Sequence, residues 1–132
     1  MLKSRNSGQW TEARYRGFVK SGLRSLSMKW PPKNEVKKAA RFARGIYICN
    51  ECKEQVPNST KADGKRTNNV FVDHIDPVID PHTGFTSWDD VIERMFCETS
   101  GLQVLCKACH DAKTKEEKEI AKNRRKHGRE SN

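Results

Sequence analysis

At 132 residues the chain has room for one small domain with extensions, not for two full domains. Hydrophobic residues make up 34% and charged residues 33%, so the apolar core is small and a disulfide or a metal is needed to hold it. No apolar run nears the roughly 18 residues that span a bilayer, and the opening "MLKSRNSGQW" lacks the apolar stretch of a signal peptide, which excludes a membrane role and predicts a cytoplasmic protein.

The net charge of +9 is unevenly spread. Residues 1–45 carry 12 Lys/Arg against 2 acids, residues 46–110 carry 6 against 10, and residues 111–132 carry 8 against 5. An acidic centre between basic flanks suits a protein that grips a polyanion with its arms and holds a cation in the middle. The plainer alternative is that the flanks are solvated tails, which is the reading for the final "NRRKHGRESN".

Residues 1–10 read as disordered. From Thr11, a plausible N-cap, the residues Tyr15, Phe18, Val19, Gly22, Leu23 and Leu26 form one helical stripe. Arg14, Arg16, Lys20 and Arg24 lie off that stripe and face water or a partner. "WPP" at 30–32 ends the helix, and a second is predicted from an Asn34 cap through Val36, Ala39, Ala40 and Ala43 to Gly45. "IYICNEC" is a strand entering a tight knuckle, and "NSTKADGKRTNN" a polar loop. Val70 to Asp73 form the next strand, and "DPVIDPHTGFTS" a long irregular loop. Ser87 caps a helix whose inner stripe is Trp88, Val91, Ile92, Met95 and Phe96. "LQVLC" is a short strand into a second knuckle, and a charged helix runs on from about His110.

The knuckles carry Cys49-x-x-Cys52 and Cys106-x-x-Cys109. A two-residue spacer lets both thiolates of a pair converge on one tetrahedral ion at about 2.3 Å, and four thiolates leave no open position, so the predicted zinc site is structural. Its binding energy, of order 10 kcal/mol, is then folding energy. Four free thiols or a redox pair are the alternatives. A redox motif needs only one pair and a βαβ context, which is missing. Cys97 follows the apolar face of its helix and reads as a small buried hydrophobe.

Between the knuckles, "VFVDHIDP" runs a short strand into titratable groups. Asp73 with an imidazole from His110 makes a half-filled site for a hard divalent ion, Mg²⁺ or Mn²⁺. Neighbours on a strand point to opposite sides, so His74 stands across from the ion and serves as general base for metal-assisted phosphate hydrolysis. Lys113, one turn past His110, either steadies a phosphate or is an exposed helix lysine. His82 and His127 read as ordinary surface residues, and Asp76, before Pro77, as a turn former.

Together "CNEC", "VDHIDP" and "LQVLCKACHDAKT" resemble the HNH endonuclease family over roughly residues 46–118. The whole chain, including the basic "ARYRGFVKSGLR", most resembles free-standing HNH endonucleases of tailed bacteriophages. The resemblance implies an α+β fold: a zinc-stapled ββα-metal (HNH, His-Me finger) core behind an N-terminal helical extension. It implies His74 as general base, Asp73 and His110 as ligands of the catalytic ion, and the four cysteines as the zinc site. One position departs from the family: its middle asparagine commonly precedes "LQ", and here that residue is Gly101. Gly shares the tolerance of Asn for positive φ but not its side-chain hydrogen bonds, with Ser100 or Glu98 the nearest substitutes.

The organisation expected is a basic DNA-binding arm over 1–45 (Arg14, Arg16, Lys20, Arg24), a nuclease domain over 46–118 and a disordered tail over 119–132. The function expected is hydrolysis of duplex DNA in the host cytoplasm, by nicking or double-strand cleavage. A zinc-stabilised DNA-binding protein on a decayed nuclease scaffold is the alternative, with Gly101 in its favour. A small module recruiting a phage packaging or replication protein is a third, and leaves Asp73, His74 and His110 without a purpose.

Overall fold

The computed structural model describes residues 2–130. The chain divides between Trp30 and Pro31 into two compact units.

In the first unit, β1 (Lys3–Arg5) and β2 (Trp10–Thr11) form an antiparallel hairpin leading directly into α1 (Glu12–Ser27). Over residues 2–10 this replaces the disorder expected of 1–10; Met1 lies outside the described residues. Asn6, Ser7 and Gly8 take φ values of 52°, 52° and 82°, a turn these small polar residues enter readily. Arg5 then ties the hairpin to the helix, reaching Glu12 at 2.9 Å and lying 4.1 Å over the Tyr15 ring. Thr11 caps α1 as expected, its hydroxyl accepting from the Arg14 N–H at 3.2 Å. The apolar stripe is only partly covered: Phe18 meets Trp10 edge-on at 5.3 Å yet stays 63% exposed, and Leu26 is exposed too.

The second unit opens with α2 (Pro31–Ala39). The two prolines start this helix rather than merely stopping the previous one, because a fixed φ near −65° suits the first turn. It also ends before the expected Gly45. Residues 41–43 become β3 (Arg41–Ala43), which turns through Gly45 at φ 73° and pairs with β4 (Ile46–Ile48). β5 (Gln55–Pro57) completes a sheet of order β3-β4-β5. The segment expected as a polar loop is a second hairpin, β6 (Ser59–Ala62) and β7 (Lys65–Asn68). Its turn is Asp63-Gly64, both at positive φ (53° and 76°), a strong hairpin signal.

β8 (Val70–His74) and β9 (Leu102–Cys106) pair antiparallel, with Val70 opposite Cys106, Asp73 opposite Gln103 and His74 opposite Leu102. The excursion between them contains the irregular loop, α3 (Trp88–Met95) and a 3-10 turn at Thr99–Gly101. Ser87 caps α3, accepting from the Asp90 N–H at 3.1 Å. α4 (Lys107–Glu130) begins on the residue after Cys106. The tail expected from residue 119 is therefore helical as far as Glu130; Ser131 and Asn132 lie outside the described residues.

α2 and α4 both pack on the β8–β9 pair. The core is formed by Val91 and Met95 of α3, Val70 of β8, and Leu102, Val104 and Leu105 of β9. Each such side chain contributes about 1.5–3 kcal/mol by leaving water. With so few of them, the cysteines at the strand ends matter for stability. The architecture is mixed α+β, with small sheets and four helices. Among the described residues, no helix is long and apolar enough to cross a membrane.

Candidate functional site

The two knuckles meet. Cys49 and Cys52 flank a turn closed by the Lys53 N–H donating to the Cys49 carbonyl at 2.9 Å, with Lys53 at φ 64°. The Asn50 N–H donates to the Val104 carbonyl at 2.8 Å and docks that turn on β9, beside Cys106 at the strand end. Cys109 lies on the first turn of α4, its N–H reaching the Cys106 sulfur at 3.5 Å. All four sulfurs lie within 4.8 Å of one another, and those of Cys52 and Cys106 are 3.9 Å apart. Four sulfurs at about 2.3 Å from a tetrahedral zinc ion stand about 3.8 Å apart, so the cluster fits such a metal.

The thiols divide electrostatically. Burial raises the Cys49 thiol, but the backbone N–H groups of Cys52, Cys106 and Glu51 outweigh it and bring it down to about 6. Hydrogen bonding to the Cys106 sulfur, then burial, push Cys109 up to about 12. All four sulfurs become thiolates together only with a cation among them.

A second group lies along one face of β8. Phe71 and Asp73, two residues apart, share that face, and α4 lies against it. The His110 ring stacks on Phe71, centroids 4.5 Å apart and planes 13° from parallel. One helical turn on, the Lys113 ammonium reaches Asp73 Oδ2 at 3.2 Å and the His74 carbonyl at 2.9 Å, and also pairs with Glu117. Lys113 is thus turned inward onto Asp73, not outward as a free surface cation. Burial lowers its pKa, yet Glu117 and Asp73 together leave it raised. Among the described residues, the buried Nδ1 of His110 has no hydrogen-bond partner; it lies 3.8 Å from Asp111, beyond hydrogen-bond range.

Two residues that the sequence reading passed over orient Asp73. Gln103, opposite it in the ladder, donates from Nε2 to Asp73 Oδ2 at 3.0 Å. Asn50, inside the first knuckle, donates to Gln103 Oε1 at 3.0 Å. An amide relay therefore links the cysteine cluster to the Asp73 carboxylate. The available signal was the placement of two amides beside the two CxxC pairs.

His74 points away from Asp73, as strand alternation requires. Its Nε2 is 2.9 Å from the Met95 carbonyl. A carbonyl only accepts, so Nε2 carries the proton and Nδ1 is the basic nitrogen. Burial is the largest influence on the ring and lowers its pKa, with Lys33 adding to this against the Met95 carbonyl.

Gly101 is not at positive φ, so the tolerance it shares with Asn is not what selects it. A Cβ here would come within 2.9 Å of the Cys97 sulfur; close approach is the reason for glycine. Its carbonyl accepts from the Ile75 N–H at 2.9 Å, so main chain pins the segment after His74. Glu98 makes no side-chain capping bond to the 3-10 turn that Gly101 ends.

The loop beyond is clamped by arginines. Arg94 reaches Asp76 at 3.0 Å, the Pro77 carbonyl at 3.1 Å and Asp90 at 3.1 Å. Arg124 donates to the Pro81 carbonyl at 3.3 Å and lies against Gly84, where φ is 79°. Exposed His82 donates its N–H to Asp80 at 2.9 Å in a local turn. In the first unit, Arg16, Lys20 and Arg24 fall four residues apart on one side of α1. Burial, then Arg24 and Arg16, lower the Lys20 pKa. Arg14 instead stacks over Trp10 at 4.6 Å.

Comparison with family models, curated proteins and solved structures finds no match to this chain.

Proposed function

We propose that the protein is a divalent-metal-dependent endonuclease of the HNH, ββα-metal type, hydrolysing DNA phosphodiester bonds, with the four cysteines holding a structural zinc ion. The observation that carries the reading is the fixed His74 ring. Its Nε2–H is committed to the Met95 carbonyl, leaving Nδ1 as base, and the adjoining Asp73 lies on the face of β8 against which α4 brings His110. Asp73 and His110 would hold the catalytic ion, the latter through a ring nitrogen that otherwise lacks a partner. That ion, when bound, supplies Lewis-acid stabilisation of charge on the phosphoryl group. His74 takes the proton of the attacking water at Nδ1. Gln103 and Asn50 hold the Asp73 carboxylate in orientation, and Arg16, Lys20 and Arg24 contact backbone phosphates.

The test is cleavage of supercoiled plasmid by zinc-loaded protein, with Mg²⁺ or Mn²⁺ added or omitted. Wild type is expected to cut only with the added ion, and His74→Ala to lose about 10²–10⁴-fold in rate while still binding the plasmid. Equal cutting by the variant ends the reading.

A second reading, a zinc-stabilised DNA-binding protein without catalysis, draws on the Lys113 ammonium at Asp73 and the bare Gly101. Plasmid binding without ion-dependent cutting is the outcome that selects it.

A further inference from the structure

The β6–β7 hairpin is ordered without an apolar face. Of its eight strand residues only Ser59 is even partly buried, and only Ala62 is apolar. A two-stranded hairpin of this kind is marginal in water. Its ladder also sets Lys61 directly opposite Arg66, a like-charge pair that destabilises the strands it sits on. Lys65 adds a third cation beside the turn. Among the described residues, none of the three pairs with a carboxylate; Arg66 donates only to Ser59 Oγ, at 3.3 Å. These three are half of the six Lys/Arg in the otherwise acidic stretch 46–110.

The hairpin is nonetheless anchored at its root. The Asn69 N–H donates to the Asn58 carbonyl at 3.0 Å, the Asn58 N–H to the Gly45 carbonyl at 2.8 Å, and the Lys107 N–H to the Asn69 carbonyl at 3.0 Å. The Asn69 side chain also donates to Thr60 at 2.7 Å. A firmly rooted, exposed ribbon thus holds apposed cations that, among the described residues, no carboxylate pairs with, the turn residue Asp63 included. From Arg66 to Asp73 is seven residues of chain, a span of at most about 25 Å, or roughly seven base pairs of duplex.

We infer that this hairpin is a second nucleic-acid contact, with Lys61, Lys65 and Arg66 lying on the phosphates of one strand within that distance of Asp73. The identity of the polyanion rests on the nuclease reading; the need for one rests on the hairpin itself. Bound phosphates would relieve the Lys61–Arg66 repulsion, which in the free protein is only screened by the solvent around these exposed strands.

The full, zinc-loaded chain is titrated against a 30-base-pair duplex across a salt series, with no other divalent ion added. Lys61→Ala/Lys65→Ala/Arg66→Ala is expected to bind more weakly, with the slope of log K against log salt shallower by about 2 to 3. Lys61→Arg/Lys65→Arg/Arg66→Lys is expected to keep the wild-type slope. The alanine variant should melt no lower than wild type, because a repulsion has been removed. If it fails to fold, single glutamine variants serve, each expected to lower the slope by about 1. Wild type that binds here, and cuts in the plasmid assay with Mg²⁺ or Mn²⁺, with an unchanged salt slope in these variants overturns the hairpin contact alone. Wild type that does not bind duplex overturns it together with the nuclease reading. Tighter binding to polyglutamate than to duplex, lost in the alanine variant, overturns it in favour of an acidic protein partner.

Discussion

Gln103 stands between Asn50 and Asp73, accepting from the first at 3.0 Å and donating to the second at 3.0 Å. A carboxylate held this way keeps one orientation, and losing such support weakens a metal site by about 10–100-fold. Under the proposed nuclease reading, in which Asp73 holds the catalytic ion, Gln103→Ala is expected to lower Mn²⁺ affinity by that factor in calorimetric titration of zinc-loaded protein, with zinc content unchanged. Equal affinities would show the relay to be idle.

Metal removal should act on the fold before any chemistry. With sulfurs within 4.8 Å of one another and a sparse core, zinc bound at this cluster would carry folding energy of order 10 kcal/mol. Cys106→Ser, or a strong chelator, is expected to lower the melting temperature by more than about 15 °C and to remove one zinc per chain by atomic absorption. Because the thiols must lose protons to bind, zinc affinity is expected to fall as pH falls. Cooperative melting at one temperature with and without metal would refute a structural role.

Gly101→Asn restores the asparagine that the HNH pattern leads one to expect, yet its Cβ would lie 2.9 Å from the Cys97 sulfur. Overpacking of this kind costs about 1–3 kcal/mol. A lower urea midpoint is expected, partly recovered in the Cys97→Ala background, which removes the nearer atom. Two additive single effects would mean that the contact is not the cause.

Arg94 ties α3 to the segment after His74 through Asp76 and the Pro77 carbonyl. Asp76 is largely exposed, so the ion pair is worth little, and the bond to Pro77 should dominate. Arg94→Met is expected to cost about 1 kcal/mol and to speed limited proteolysis within residues 75–87. Unchanged cleavage there would show that Arg124 alone suffices as clamp.

Much of this arrangement was legible in the chain. The doubled CxxC spacing identified the sulfur cluster, and strand alternation placed Asp73 and His74 on opposite faces. The caps Thr11 and Ser87 were readable because a hydroxyl residue stands directly before each helix that carries an apolar stripe. The hairpins were hidden for a common reason. The arms of β1–β2 and β6–β7 have no apolar alternation, so Asn6-Ser7-Gly8 resembled disorder and Asp63-Gly64 resembled loop, where both are turns. The Gln103 relay was marked only by two amides beside the CxxC pairs, because its partner depends on which residue faces Asp73 across the ladder, a matter of register rather than of local pattern.

β9 passes into α4 without a linking residue: Cys106 ends the strand and Lys107 begins the helix. Inserting one amino acid at that junction would advance every later position by about 100° around the helix axis. The imidazole would leave the Phe71 ring as the last sulfur left its cluster. Natural variants of this chain should therefore change length in the Ser59–Asn68 hairpin or the loop before Ser87, and keep this seam at constant length.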